Sequence, residues 1–188
     1  MIFFRKRLYM DFASATPLHK QVVRAMRRAE ALYGNPSAPH EEGRRAKELL
    51  ENARATIAHA LLVRSETLIV TGSGTESNNL AITGFIEALV ARGATYQELH
   101  VITSAFEHPS VTLPLKALEK KGLIVTYVVP DEEGIITPEK ILEALRPETV
   151  LVSVVFVQSE LGVIQPVTAL SRELEKVQKE FYNLLKNE

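Results

Sequence analysis

IVTGSGTESNNLAI, residues 69–82, joins a β-branched run to two closely spaced glycines and then to a stretch with helical character. The order reads as strand, tight turn, helix. Gly72 and Gly74 are expected to let the backbone take positive φ and come close to a ligand. Thr75 is expected to cap a helix whose free N–H groups and positive dipole end face the turn. An anion there is stabilised without any cationic side chain, and the Thr75 and Ser77 hydroxyls could add donors. On this turn alone the simpler reading, a capped joint with nothing bound, stands first. A Walker-type loop is ruled out because no Gly-Lys-Ser/Thr ending follows. A dinucleotide fingerprint wants a third glycine where Ser77 stands, and an acid closing the next strand.

Downstream the alternation repeats. A helix from Thr75 to about Ala91 stops at Arg92-Gly93, and ELHVITS (98–104) is the next strand. Its following helix ends at Lys120-Lys121-Gly122, again a cation-then-glycine stop. LIVTYVVP (123–130) is a third strand, PDEEG turns the chain, and Thr137-Pro138 opens a helix to Leu145. TVLVSVVF (149–156) is the fourth and most apolar strand. A last helix from Thr168 sets Leu170, Leu174, Val177, Phe181 and Leu184 on one face. Upstream, Pro17 is expected to open a helix to Tyr33, and GNPSAP (34–39) breaks it. A longer helix then carries Ala46, Leu49, Leu50, Ala53, Ile57 and Leu61 at helical spacing. Strands alternating with helices imply a three-layer α/β/α fold with a mostly parallel sheet, and ligands beyond the carboxyl ends of its strands.

Those ends carry the remaining candidates. His108 sits in FEHPS with Pro109 fixing the chain behind it, and Gln158-Ser159-Glu160 follows the most apolar strand. A lone histidine is more often structural than catalytic, so its location is what singles it out. No pair of histidines has metal-ligand spacing, so no metal site is expected. With 22 basic and 23 acidic residues in 188, nothing calls for a nucleic-acid or membrane-surface partner, and Arg5-Lys6-Arg7 reads as a solvated arm. No cysteine is present, which excludes disulfides and a thiol nucleophile within these residues. No secretory signal or apolar span of bilayer length is visible, so a soluble cytoplasmic protein is expected.

Taken together, YMDFASATP, GNPSAPHEEGRRA, TGSGTESNNLAI, ITSAFEHPSV, EEGIITPEKI and VLVSVVFVQSELGVIQPV resemble, in order and spacing, the N-terminal half of a cysteine desulfurase. These are pyridoxal-phosphate (PLP) enzymes of the class V aminotransferase-like group. The resemblance implies that Gly74 and Thr75 hold the PLP phosphate and that His108 lies over the ring and helps proton transfer. Ser159 fills the position, usually asparagine, that bonds the ring's phenolic oxygen near the substrate carboxylate. It further implies a small-domain arm at 1–13 and an incomplete PLP-binding large domain at 14–188.

The same resemblance places the Schiff-base lysine, the acid that protonates the pyridine nitrogen and the sulfur-accepting cysteine beyond this stretch. These 188 residues are therefore expected to be catalytically silent alone. In the family's fold the strand feeding the phosphate turn lies at one sheet edge, the next three strands group toward the other, and later segments fill the gap. Thr75 and His108 are then expected to converge only after those segments insert, and long apolar edges are expected to stay open. Expected partners are a C-terminal half or a full-length paralogue, a homodimer in the complete form, and a sulfur-acceptor protein, as in iron–sulfur cluster assembly. A non-catalytic dimerisation partner, half of a selenocysteine lyase or another class V aminotransferase are the alternatives, with a dehydrogenase behind them.

Overall fold

The computed structural model describes residues 7–186, with side chains of the last helix described through residue 179. Arg5, Lys6, and the Phe181 and Leu184 side chains assigned to the tail's apolar face lie outside the described residues. The chain divides into two compact units, Met1–Val70 and Thr71–Glu188.

The first unit holds helices α1 (Lys20–Glu30) and α2 (Glu41–Ala60). Helix α1 starts three residues later than Pro17 suggested, because His19 is its N-cap and its Nδ1 accepts the Gln21 N–H at 3.4 Å. In α2, His40 Nδ1 accepts the Gly43 N–H at 3.2 Å, and Glu41 and Glu42 complement the dipole in the first turn. Gly43 is required by close approach: a Cβ there would lie 2.4 Å from the Ala38 carbonyl oxygen. The Asn35–Ala38 turn can therefore fold down onto the helix.

The second unit is built on a three-stranded parallel sheet, β1 (His100–Ser104), β2 (Ile124–Val128) and β3 (Thr149–Ser153), in the order β2-β1-β3. Helices cover both faces. On one, Val101 packs with Ile82, Ile86, Val111, Leu115 and Leu118, contributed by α4 (Phe85–Ala91), the turn before it, and α5 (Pro109–Glu119). On the other, Ile102 and Val128 pack with Ile141 of α6 (Pro138–Glu143) and Leu170 of α7 (Val167–Lys186). Alternate residues of β1 thus feed opposite cores, which is why the strand reads as unbroken and apolar. Each fully buried side chain, such as Ile86 or Leu115, contributes about 1.5–3 kcal/mol. Expected stops hold: Arg92 and Lys120 cap helices, with Gly93 at φ 109° and Gly122 at φ 108° beyond them.

Two features depart from the sequence reading. TLIVT (67–71) pairs with no strand among the described residues, and Ile69 and Val70 are 70% and 69% exposed. A β-branched run becomes a strand only with a neighbour to satisfy its N–H and C=O groups, and no described strand provides one. The helix from residue 74 to 91 is also not uniform: α3 (Gly74–Asn79) passes through a π-helical turn at Leu80–Gly84 before α4.

Among the described residues no strand pairs with the outer edge of β3. Between β3 and α7 runs a groove of about 630 Å³ lined mainly by Leu145, Val150, Val152, Leu170, Leu174 and Val177. The apolar edge expected from the sequence is present. No helix among the described residues is long and apolar enough to cross a membrane.

Candidate functional site

The glycine turn closes through side chains rather than through unusual backbone angles. Neither Gly72 nor Gly74 has positive φ, contrary to the expectation. Ser73, not Thr75, is the N-cap of α3: its Oγ accepts the Glu76 N–H at 3.2 Å. Glu76 reaches back so that its Oε2 accepts the Gly72 N–H at 2.7 Å, a near relative of the capping box. The Thr71 hydroxyl donates to the Ser73 carbonyl at 3.0 Å and so receives the Ser77 hydroxyl proton across 2.5 Å. Ser77 is thereby withdrawn from the donors assigned to it.

What stays open is informative. The Gly74 and Thr75 amides, first and second in α3, donate to no acceptor among the described residues. A Cβ on Gly74 would meet nothing within 4 Å, whereas one on Gly72 would come within 3.1 Å of Glu76 Oε2. The turn thus combines open space at position 74 with two unused N–H groups.

His108 is exposed and is itself the N-cap of α5, with Pro109 in the first turn where its missing N–H costs nothing. Its Nδ1 accepts the Ser110 N–H at 3.0 Å and lies 2.8 Å from Ser110 Oγ. That oxygen accepts from Asn78 Nδ2 at 2.8 Å. Asn78 lies one turn beyond Thr75, so the helix Thr75 begins is already tied to the His108 loop. Helix α3 packs on α5 because the turn that continues it and α4 bury Ile82 and Ile86 against Val111, Leu115 and Leu118 of α5.

Glu107 was not among the site candidates read from the sequence. Its Oε1 accepts the Ser104 hydroxyl and the Val155 N–H, each at 2.6 Å, clamping the end of β1 to the segment leaving β3. Burial raises its pKa above the usual carboxylate value, against these two donors, which lower it.

Ser159 lies exposed in the turn after β3, with no side-chain hydrogen bond among the described residues. Gln158 beside it is buried, and its Oε1 accepts the Glu160 and Leu161 N–H groups at 2.7 and 2.6 Å. The amide is thus occupied in shaping its own turn. Gln165 is the other missed residue: 2% exposed, it accepts the Ile136 N–H and donates to the Gly134 carbonyl, both at 2.8 Å. It stitches the loop after β2 to the one after β3. Ser-x-x-Glu at 73–76 was a readable capping signal. Glu107 and Gln165 had none, since each acts on backbone distant in sequence.

The donor set fits a phosphate monoester at Gly74 and Thr75: two free amides, open space and a helix N-terminus. The described groove at β3 lies elsewhere and includes none of Gly74, Thr75, His108 or Ser159.

Comparison with known proteins gives a consistent picture. A family model described as aminotransferase class-V matches residues 8–182. A cysteine desulfurase IscS of Dictyoglomus turgidum is 40% identical over 178 residues, covering 94% of this chain and 43% of the relative. One from Acinetobacter baumannii is 35% identical over 185 residues, covering 96% and 44%. Among solved structures, a NifS-like protein superposes with a TM-score of 0.85 at 31% identity, covering 93% of this chain and 47% of the other. SspA in complex with cysteine gives 0.81 at 34%, covering 90% and 48%. The chain therefore spans rather less than half the length of the curated relatives it matches.

Proposed function

The chain belongs to the aminotransferase class-V family, and from that premise we propose that it is the N-terminal half of a PLP-dependent cysteine desulfurase. The whole enzyme converts L-cysteine to L-alanine and passes the sulfur on as a persulfide. PLP, when bound, supplies the electron sink for chemistry at the amino-acid α-carbon. The Gly74 and Thr75 amides hold its phosphate, His108 holds or moves a proton at a ring nitrogen, and Ser159 offers a hydroxyl to the cofactor or substrate. The amine that anchors the cofactor, the acid facing its ring nitrogen and the cysteine that takes sulfur come from outside these 188 residues. Residues 1–13 are assigned to the small domain and 14–188 to the large one, and the complete protein to a cytoplasmic homodimer that serves a sulfur acceptor.

One observation carries this reading: two unused helix-start amides in front of open space, on a helix hydrogen-bonded to the His108 loop. The test is reconstitution. The 188-residue chain alone should leave the PLP spectrum unchanged. Co-expressed with a polypeptide carrying the family's second half, it should retain PLP with visible absorbance and release alanine from cysteine. A correctly assembled pair that takes up no PLP would overturn the assignment. The unpaired edge of β3 and its groove also favour a second reading, in which the chain is a non-catalytic partner of a full-length paralogue. Co-purification with that paralogue, without PLP bound to this chain, would select it.

A further inference from the structure

We propose that Ser110 and Asn78 are positioning residues that lock His108 as its Nε2–H tautomer, so that the ring presents a hydrogen-bond donor to an anionic ligand. The tautomer follows from donor and acceptor logic. A backbone N–H can only donate, and that of Ser110 lies 3.0 Å from His108 Nδ1. Nδ1 therefore offers a lone pair, and in the neutral ring the proton sits on Nε2.

The side chains enforce the same direction. Asn78 Nδ2 can only donate, and it does so to Ser110 Oγ at 2.8 Å. An unprotonated Nδ1 has no proton to give, so Ser110 directs its own hydroxyl proton to Nδ1 at 2.8 Å, sharing that lone pair with the backbone N–H. The chain runs one way: Asn78 amide to Ser110 hydroxyl to His108 Nδ1. Ser110 is 8% exposed, so water cannot readily replace either partner. The opposite tautomer would set Nδ1–H against the Ser110 N–H and uncap α5. Nε2 makes no hydrogen bond among the described residues, and the side chain is exposed. A thiolate, carboxylate or phenolate oxygen is the kind of acceptor such an N–H addresses. That the acceptor belongs to cofactor or substrate rests on the proposed function; the tautomer does not.

The experiment is long-range ¹H–¹⁵N correlation on the 188-residue chain labelled in its histidine rings, without PLP, at about pH 8, above the ordinary histidine range. Loss of one set of signals in His108→Gln identifies the ring. A pyridine-type Nδ1 and a pyrrole-type Nε2 are expected. Ser110→Ala should move the Nδ1 shift toward the average of the free side chain, and Ser110→Thr should restore it. Asn78→Asp, whose carboxylate accepts the Ser110 proton, should move it the same way as Ser110→Ala. A protonated Nδ1 in the unsubstituted chain overturns the tautomer. Shifts unmoved by both Ser110→Ala and Asn78→Asp overturn the role of the side chains. Should Ser110→Ala unfold, the other two spectra decide. Absence of bound PLP after reconstitution would defeat the proposed function and leave these shifts as they are.

Discussion

Replacing Gln165 by alanine should be among the most damaging single changes in the second unit, although the residue touches no candidate ligand position. Its carboxamide accepts the Ile136 N–H and donates to the Gly134 carbonyl, both at 2.8 Å and both buried. Alanine removes both partners at once and leaves two backbone groups with no substitute nearby. Each orphaned buried group costs about 1–3 kcal/mol, so about 2–6 kcal/mol is expected in all. With a urea m-value of about 2 kcal/mol per molar, the unfolding midpoint should fall by roughly 1–3 M. Gln165→Glu keeps the acceptor but turns the donor into a second carboxylate oxygen facing the Gly134 carbonyl, so it should also destabilise. Equilibrium urea denaturation followed by far-UV circular dichroism measures the loss. Hydrogen exchange locates it, since the Ile136 amide should lose protection first. A loss below about 0.5 kcal/mol, the scale of an ordinary surface substitution, with Ile136 still protected, would refute the claim that this one side chain joins the two loops.

Two further predictions concern pH, and they run in opposite directions. Burial raises the Glu107 pKa in the folded chain, so the native state binds the extra proton. Its stabilising contribution is present below the unfolded carboxylate pKa and is lost as pH rises through the folded value. Relative to the unsubstituted protein, Glu107→Gln should therefore gain stability as pH climbs above about 4.5; denaturation curves of the pair, parallel at every pH, would exclude this. His100 behaves in reverse. It is buried at the start of β1 between Thr149 Oγ1 at 2.7 Å and Thr126 Oγ1 at 2.8 Å. Burial, followed by the Arg146 charge, lowers its pKa, against a weaker opposing effect from Glu148. Its contribution is present above the unfolded histidine pKa and is lost as pH falls from about 6.5 toward the folded value. Thermal midpoints should drop across that window and lose the drop in His100→Gln; an unchanged slope in the variant would count against the assignment.

Most of the second unit was legible because its signals are local. Apolar runs marked β1, β2 and β3, and the Arg92-Gly93 and Lys121-Gly122 pairs marked helix ends through the left-handed glycines that follow them. Pro109 and Pro138 each marked a first helical turn. TLIVT was misread for a related reason. Its residue types favour a strand, but a strand is a relation between two segments, and composition reports only one of them. The glycine turn was located correctly, and the way it closes was not. Positive φ was invoked where Ser73, Glu76 and Thr71 do the closing, and position 74 faces open space.

The amino-acid sequence by itself determined the element order from β1 onward, the two-sided burial of β1, the family and the glycine turn to which we assign a phosphate. These follow from periodicity, turn chemistry and motif spacing, all of which act over a few residues. Only the tertiary structure decided that Asn78 reaches the Ser110 that contacts His108, that Glu107 clamps Val155, and that Gln165 joins the loops after β2 and β3. Each of those contacts except the short His108–Ser110 pair spans 29 to 48 residues of chain. A hydrogen bond requires donor and acceptor within about 3 Å, and it is the packing of helices on the sheet that brings such distant groups together.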